Sequence, residues 1–234
     1  MNNNIKIVIP SYNCSNKLIA VVKKLRDQNI KNDIYIVDDK SSVNSRIIIN
    51  YINNKFSNIY IIRNKKNLGQ GGSIKNSFKI LKNPEYLICT VDDDGQHTTK
   101  DVQKILKRSN LIFYNNKVIL GARDLFFKIT PINSYIGNKL SKFIFTLITK
   151  KKIIDTQTGL RFYGKKIANK LLNIDSNGFD FHNIMNFYLV KNKIKIIEIK
   201  IQTIYFDKNK KTRFKGMQDS VNILTKILSF NNPS

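Results

Sequence analysis

Thr90-Val91-Asp92-Asp93-Asp94-Gly95-Gln96-His97 places three consecutive carboxylates directly after an apolar run, Tyr86-Leu87-Ile88-Cys89-Thr90-Val91, that reads as a buried strand. Carboxylates crowded at a strand's carboxyl end repel one another unless a cation sits among them. Open α/β sheets also bind their ligands at that edge. The run therefore reads as a divalent-metal site holding a phosphorylated substrate. Taken by itself it also fits an acidic turn whose glycine supplies a positive φ, so the elements around it have to decide.

Those elements alternate through the first half of the chain. Strand-like runs over 5–9, 34–37, 59–62 and 86–91 are separated by segments with helical spacing: Leu18, Val21, Val22 and Leu25, then a stretch near 43–54, then one over about 72–81. Such alternation predicts βαβ units, a mostly parallel sheet and an α/β fold. Three of the four strands end in residues able to bind a ligand: Pro10-Ser11-Tyr12-Asn13, Asp38-Asp39, and Asp92 to Asp94. The second half is less regular. It contains a strand near Val118 to Gly121 and a helical apolar stripe of Ile136, Leu140, Phe143, Ile144 and Leu147. An extended segment or hairpin follows over 194–206, and Met217, Val221, Leu224 and Leu228 stripe a final helix. No repeat or linker interrupts the pattern, and a single domain over 1–234 is expected, its regular half running to about residue 125 and its less regular half over about 126–230.

The balance of 41 Lys+Arg against 16 Asp+Glu gives a formal net charge of +25. An anionic partner is implied: nucleic acid, an anionic membrane surface, or a phosphorylated ligand. Part of that charge also fits a solvated lysine-rich surface. No helix-turn-helix, zinc or RNA-recognition signature accompanies it, so a nucleic-acid partner is not expected. Cys14 and Cys89 have no metal-ligand spacing and fit a reduced protein. No signal-peptide pattern opens the chain, and no apolar run approaches the ~18 residues of a membrane span. A cytoplasmic protein, peripheral at the inner face of a membrane, is expected.

The motifs and their order carry a resemblance. Ile7-Val8-Ile9-Pro10-Ser11-Tyr12-Asn13, Val37-Asp38-Asp39-Lys40-Ser41, Asn67-Leu68-Gly69-Gln70-Gly71 and Asp92-Asp93-Asp94-Gly95-Gln96-His97 resemble family 2 glycosyltransferases. These are enzymes with the GT-A fold, a Rossmann-like fold that binds nucleotide-diphosphate sugars. Gly121-Ala122-Arg123, Gly137-Asn138-Lys139-Leu140-Ser141, Asp155-Thr156-Gln157-Thr158-Gly159-Leu160-Arg161 and Thr203-Ile204-Tyr205 with Arg213-Phe214 are similar to the dolichyl/polyprenyl-phosphate sugar transferase branch. The likeness extends from about residue 5 to 229.

The resemblance implies roles. Asp39 accepts a nucleobase N–H. Pro10 and Tyr12 wall the nucleotide pocket, and Gly71, with Gly69 and Gly72, lets the backbone approach the nucleotide or caps the next helix. Asp94 and Gln96 stand at the metal-ligand positions, and both offer hard oxygens suited to Mg²⁺ or Mn²⁺. Asp92 faces the ribose and pyrophosphate, Asp93 lies beside it, and His97 is structural. Arg123, Arg161 and Arg213 bind phosphate, and Lys139 adds charge there. The implied donor is a UDP- or GDP-sugar and the implied acceptor a polyprenyl phosphate; transfer to a saccharide hydroxyl is the alternative. Asp180 and His182 stand where related sequences carry glutamates, and Thr212-Arg213-Phe214 departs from a Ser-His-Phe pattern, so no general base is assigned.

Overall fold

The computed structural model describes residues 4–109, 111, 116–123, 132–202 and 204. Arg213 and the predicted helix over 217–228 lie outside the described residues. Among the described residues, seven strands form one sheet: β1 (Ile5–Ser11), β2 (Asp33–Asp38), β3 (Ile59–Arg63), β4 (Leu87–Thr90), β5 (Lys117–Arg123), β6 (Arg161–Gly164) and β7 (Lys195–Ile201), in the order β3-β2-β1-β4-β6-β5-β7. Helices α1 (Lys17–Asp27), α2 (Val43–Lys55), α3 (Gly69–Ile80), α4 (Thr99–Leu106), α5 (Ile132–Thr149), α6 (Lys165–Leu171) and α7 (Phe181–Lys191) pack around it. The mostly parallel α/β architecture is as the alternation predicts.

The first three βα units follow their apolar patterns. The α1 stripe of Leu18, Val21, Val22 and Leu25 is buried throughout. Successive β1 side chains point to opposite faces. Ile7 and Ile9 join a core with Leu18 and Val22 on one side, and Val8 packs with Ile74 and Phe78 of α3 on the other. Pro10 is placed where its missing N–H is harmless. The β1–β4 ladder ends at Val8↔Thr90, so the edge Pro10 would have served carries no further pair.

Chain order and strand order diverge at β1, which has β2 on one side and β4 on the other. That divergence opens a crevice beyond the carboxyl ends of β1, β2 and β4, the usual ligand position in such sheets. β6 is antiparallel to both β4 and β5, and its short run, Arg161-Phe162-Tyr163-Gly164, is not predicted by the sequence pattern. β7 pairs parallel with β5 over Lys195–Ile201, so the described part of the 194–206 segment is one strand, not a hairpin. α4, α6 and α7 are further elements the pattern does not mark. α4 carries a readable cap: Thr98 Oγ1 accepts from Asp101 N at 3.0 Å and donates to Asp101 Oδ2 at 2.6 Å.

Candidate active site

The crevice forms a cavity of about 470 Å³ whose walls include Pro10, Tyr12, Asp39, Gln70, Asp92 and Phe179. Strand register puts these residues together: Asp39 N donates to Ser11 O at 2.9 Å and Val91 N to Val8 O at 3.0 Å, which aligns the exits of β1, β2 and β4. Pro10, Tyr12, Asp39, Asp92 and Asp93, all named as donor-side candidates, line this cavity. Ser11, Asn13, Asn67, Gln70 and Phe179 line it too, and the first four stand within the sequence motifs without an assigned role.

Asp39 is 3% exposed and held on several sides. Its Oδ1 accepts from Asn64 Nδ2 and from Leu68 N, both at 2.7 Å, and its Oδ2 from Gly69 N at 2.8 Å. It thereby satisfies backbone amides at the start of α3, which otherwise lack partners. Gly69, at φ +75, is needed there, because a Cβ would lie 2.5 Å from Asn177 O.

Gly71 has a different role from the one the motif implies. It is buried on α3, and a Cβ on it would lie 2.5 Å from Phe181 Cβ. It sets the approach of α3 to α7 and is not part of the cavity wall.

The acidic run is organised around Asp92. Its Oδ1 accepts from Gln70 Nε2 at 3.1 Å, and its Oδ2 lies 3.0 Å from His97 Nε2. Gly159 packs against the same carboxylate so closely that a Cβ there would overlap it. Burial works against ionisation of Asp92, but the hydrogen bond and charge of His97, with Arg123 beyond, hold its pKa down to about 2. His97 is structural in a specific sense, since it fixes the orientation of Asp92. Asp93 Oδ2 accepts from Ser11 Oγ at 2.7 Å, tying the run to β1. Asp94 Oδ1 accepts from Gln96 N at 2.9 Å across a turn at Gly95, φ +80. Burial and the charge of Asp92 raise the Asp94 carboxyl.

The donor set of the acidic run suits a hard divalent cation. Asp94 offers a carboxylate and Gln96 a carbonyl oxygen. Among the described residues no group of three or more His, Cys, Asp or Glu is placed to hold a metal. Mg²⁺ commonly uses one or two protein carboxylates plus substrate phosphates, so the two-oxygen set fits an ion carried largely by a diphosphate.

Opposite the acidic run, Arg123 leaves the end of β5. Its Nε donates to Asp155 Oδ2 at 2.6 Å, its Nη2 to Asp155 Oδ1 at 3.3 Å, and its Nη1 to Gln96 Oε1 at 3.3 Å. Asp155 has no exposed side-chain surface, and it also accepts from Asn138 Nδ2 of α5 at 3.0 Å. Asp155 and Asn138 therefore aim Arg123 at Gln96. The sequence motifs contain both but assign neither a role.

Two expectations fail on placement. Arg161 is 0% exposed, and its guanidinium donates to Asn186 Oδ1 at 2.7 Å and to the carbonyls of Thr156, Thr158 and His182. Burial lowers its pKa to about 10. It is a cation of the scaffold, behind the site and closed to a substrate phosphate. Lys139 is exposed on α5, with Nζ 5.9 Å over the Tyr135 ring, and forms no part of the cavity wall.

The "Glycosyl transferase family 2" pattern matches residues 6–172. The chain belongs to that family. As a family 2 member it is a glycosyltransferase, and its sheet is the GT-A fold. The UDP-N-acetylglucosamine–dolichyl-phosphate N-acetylglucosaminyltransferase of Methanococcus voltae is 29% identical over 222 residues, covering 86% of this chain and 86% of that protein. A dolichyl-phosphate beta-glucosyltransferase of Dictyostelium discoideum is 25% identical over 234 residues, covering 91% of this chain and 70% of its own length. Among solved structures, Mycobacterium tuberculosis glucosyl-3-phosphoglycerate synthase with Mn²⁺, UDP and phosphoglyceric acid superposes with a TM-score of 0.72 at 10% identity, covering 98% of this chain and 79% of that one. At that identity the likeness is one of fold.

Proposed function

We propose that this glycosyltransferase moves a sugar from a nucleotide-diphosphate donor to a polyprenyl phosphate, with inversion at the anomeric carbon. The observation that carries the reading is an Asp92 held by Gln70 and His97 in the cavity wall, with the Asp155-clamped Arg123 reaching Gln96 at the end of the same acidic run. The resemblance of the whole chain to lipid-phosphate sugar transferases agrees with it.

In this reading the nucleoside occupies the cavity between Tyr12 and Asp39, and the diphosphate points toward the acidic run. Asp94 and Gln96 would hold a divalent cation there, which when bound would supply Lewis-acid charge to the departing diphosphate. Arg123 contributes fixed positive charge beside it, and Asp155 prevents that guanidinium from turning away. An oxygen of the lipid phosphate attacks the anomeric carbon. The bond from that carbon to the donor's diphosphate oxygen breaks, and the nucleoside diphosphate leaves with the electron pair. A phosphate monoester has its second pKa at about 6 and is already anionic at neutral pH, so no side chain has to remove a proton. The enzyme's work is positioning and charge stabilisation.

The acceptor reading places the chain at a membrane surface. No helix of the described residues is long and apolar enough to cross a membrane. α5, however, turns Ile136, Phe143 and Leu147 outward at 53, 65 and 57% exposure, while Phe145 anchors its other face against Phe187. Lys139 and Lys150 flank the outward stripe. An exposed apolar stripe edged by lysines is the pattern of a helix lying in an anionic interface.

The reading is tested by transfer of labelled sugar from a panel of nucleotide sugars to polyprenyl phosphate in anionic vesicles, with Mn²⁺ or Mg²⁺. Labelled lipid is expected, none from the phosphate-free polyprenol, with transfer falling steeply as salt rises. Labelling of a saccharide acceptor in place of the lipid would overturn the acceptor assignment.

A further inference from the structure

Arg123 serves a substrate only while Asp155 keeps its place, and Asp155 lies in an irregular segment. Residues 150–160, between α5 and β6, form neither helix nor strand. The Asp155 carboxylate is heavily engaged. Its Oδ2 accepts from Arg123 Nε and, at 3.3 Å, from Arg123 N; its Oδ1 accepts from Arg123 Nη2, from Asn138 Nδ2 and, at 2.9 Å, from Gln157 N. Those bonds orient the carboxylate. The backbone that carries it is held from another element.

Glu198, on β7, reaches that backbone. Its Oε1 accepts from Ile154 N at 2.7 Å and from Asp155 N at 3.3 Å. In an irregular segment such amides have no ladder or helix to pair them, and folded chains rarely leave them unpaired. β7 runs parallel to β5, with Leu120 opposite Glu198 and Arg123 opposite Ile201. Both members of the Arg123–Asp155 pair are therefore referred to one ladder: Arg123 as the last residue of β5, Asp155 through the Glu198 side chain. Glu198 stands there at a cost. Burial raises its carboxyl and the Asp155 charge adds to the rise, while the two amides and the Lys142 charge on α5 oppose it.

We propose, given the role of Arg123 stated above, that Glu198 is a positioning residue for sugar transfer: it fixes the 154–155 backbone so that Asp155 holds the Arg123 guanidinium beside Gln96. What the role requires is an acceptor oxygen at the right reach, and the charge of Glu198 is secondary to it.

Two substitutions separate reach from charge. Glu198→Gln keeps the length and an acceptor oxygen and loses the charge. Glu198→Asp keeps the charge and is one methylene too short for the two amides. Single-turnover transfer of labelled sugar to polyprenyl phosphate in anionic vesicles is measured per folded molecule. Glu198→Asp is expected to lower the rate about tenfold or more, as a displaced site group does. Glu198→Gln is expected to stay close to wild type, and it decides alone where Glu198→Asp does not fold. The same substitutions are then placed in a background of Arg123→Gln with Asp155→Asn, which removes both charges of the buried pair together. There Glu198→Asp should cost little more, because its effect passes through the missing guanidinium. A full repeat of the loss in that background, an inactive Glu198→Gln, or a fully active Glu198→Asp overturns the positioning role of Glu198 alone. Wild-type transfer by the Arg123→Gln, Asp155→Asn protein itself overturns the role given to Arg123, and this inference with it.

Discussion

The two sides of the sheet hold their functional residues by different means. At the exits of β1, β2 and β4, site carboxylates are held mainly by neutral donors: Leu68 N and Gly69 N on Asp39, Ser11 Oγ on Asp93, and Gln70 Nε2 on Asp92, which His97 also contacts. At the end of β5 and the start of β6, charge is held by charge and burial: Arg123 on Asp155, and Arg161 sealed among carbonyls. Neutral donors leave a carboxylate its full charge for a ligand. A buried ion pair directs most of its charge at its partner, and here the Arg123 Nη1 also donates to Gln96 in the acidic run. The donor side is thus a binding surface and the β5–β6 side a rigid brace that carries Arg123 to Gln96.

The sharpest way to break that contrast is to remove the brace. Asp155→Asn leaves the Arg123 guanidinium in a nearly closed pocket, its side chain 11% exposed, without its counter-charge. Removing one partner of a buried pair typically costs about 3–5 kcal/mol. Denaturant unfolding should show a loss in that range, and nucleoside-diphosphate affinity in the still-folded fraction should fall as well, because Arg123 is no longer held beside the diphosphate. A variant with unchanged stability would show that the brace carries no energetic weight.

Gly159→Ala crosses the boundary between the two regions, because Gly159 precedes β6 but touches Asp92 on the donor side. An added Cβ overlaps the Asp92 carboxylate and must displace it from Gln70 and His97. Misplacing a site group by about 1 Å commonly costs about 100-fold in rate. Single-turnover sugar transfer should fall by that order with the melting temperature little changed. A fully active Gly159→Ala enzyme would mean that Asp92 does not need its present position.

These two variants also show what was legible in the chain. Residue types at the strand ends were readable, because a strand that stops in Asp-Asp or Asp-Asp-Asp breaks an apolar pattern at a fixed place. So were the parallel βαβ units, whose periods change plainly from 2 to 3.6. Arg123 and Arg161 could not be separated: each closes a motif with small residues before it, and only β6 turning antiparallel between β4 and β5 takes Arg161 into the core. Gly71 was opaque for a similar reason. A glycine that admits a ligand and one that admits Phe181 look alike until α7 is in place. Phe179 reaches the cavity from a loop more than a hundred residues beyond the first motif, and no local pattern marks such an approach.

Asp39→Ala sharpens the donor side of the comparison. Loss of a hydrogen bond to a charged acceptor costs about 1.5–3 kcal/mol, and nucleotide affinity should drop by that amount in calorimetry. Because Asp39 also satisfies Leu68 N, Gly69 N and Asn64, part of the cost should appear as lower thermal stability even without ligand. Nucleotide binding as tight as wild type would remove Asp39 from the site and leave it only as a cap for α3.

The smallest expected effect probes the brace through pH. His182 lies at the start of α7, 3% exposed, and neither ring nitrogen has a hydrogen-bond partner among the described residues. Burial, with the nearby Arg161 charge, lowers its pKa from 6.5 to about 3. The unfolded chain therefore binds a proton at His182 below about pH 6.5 while the folded chain does not until about pH 3. Stability rises with pH wherever the unfolded state binds more protons, so this group weakens the fold as pH drops through that window. Between about pH 7 and 5.5 the contribution is about 1 kcal/mol. Other groups titrate too: Glu198 has a raised carboxyl, which favours the fold as pH falls toward its own range. The informative quantity is thus the difference between wild type and His182→Leu, which removes the titration and keeps an apolar side chain in the space. The wild-type stability should decline more steeply by that amount over the same pH interval. Parallel pH profiles would show that the imidazole is protonated in the folded state, and that the α7 side of the brace tolerates a second positive charge beside Arg161.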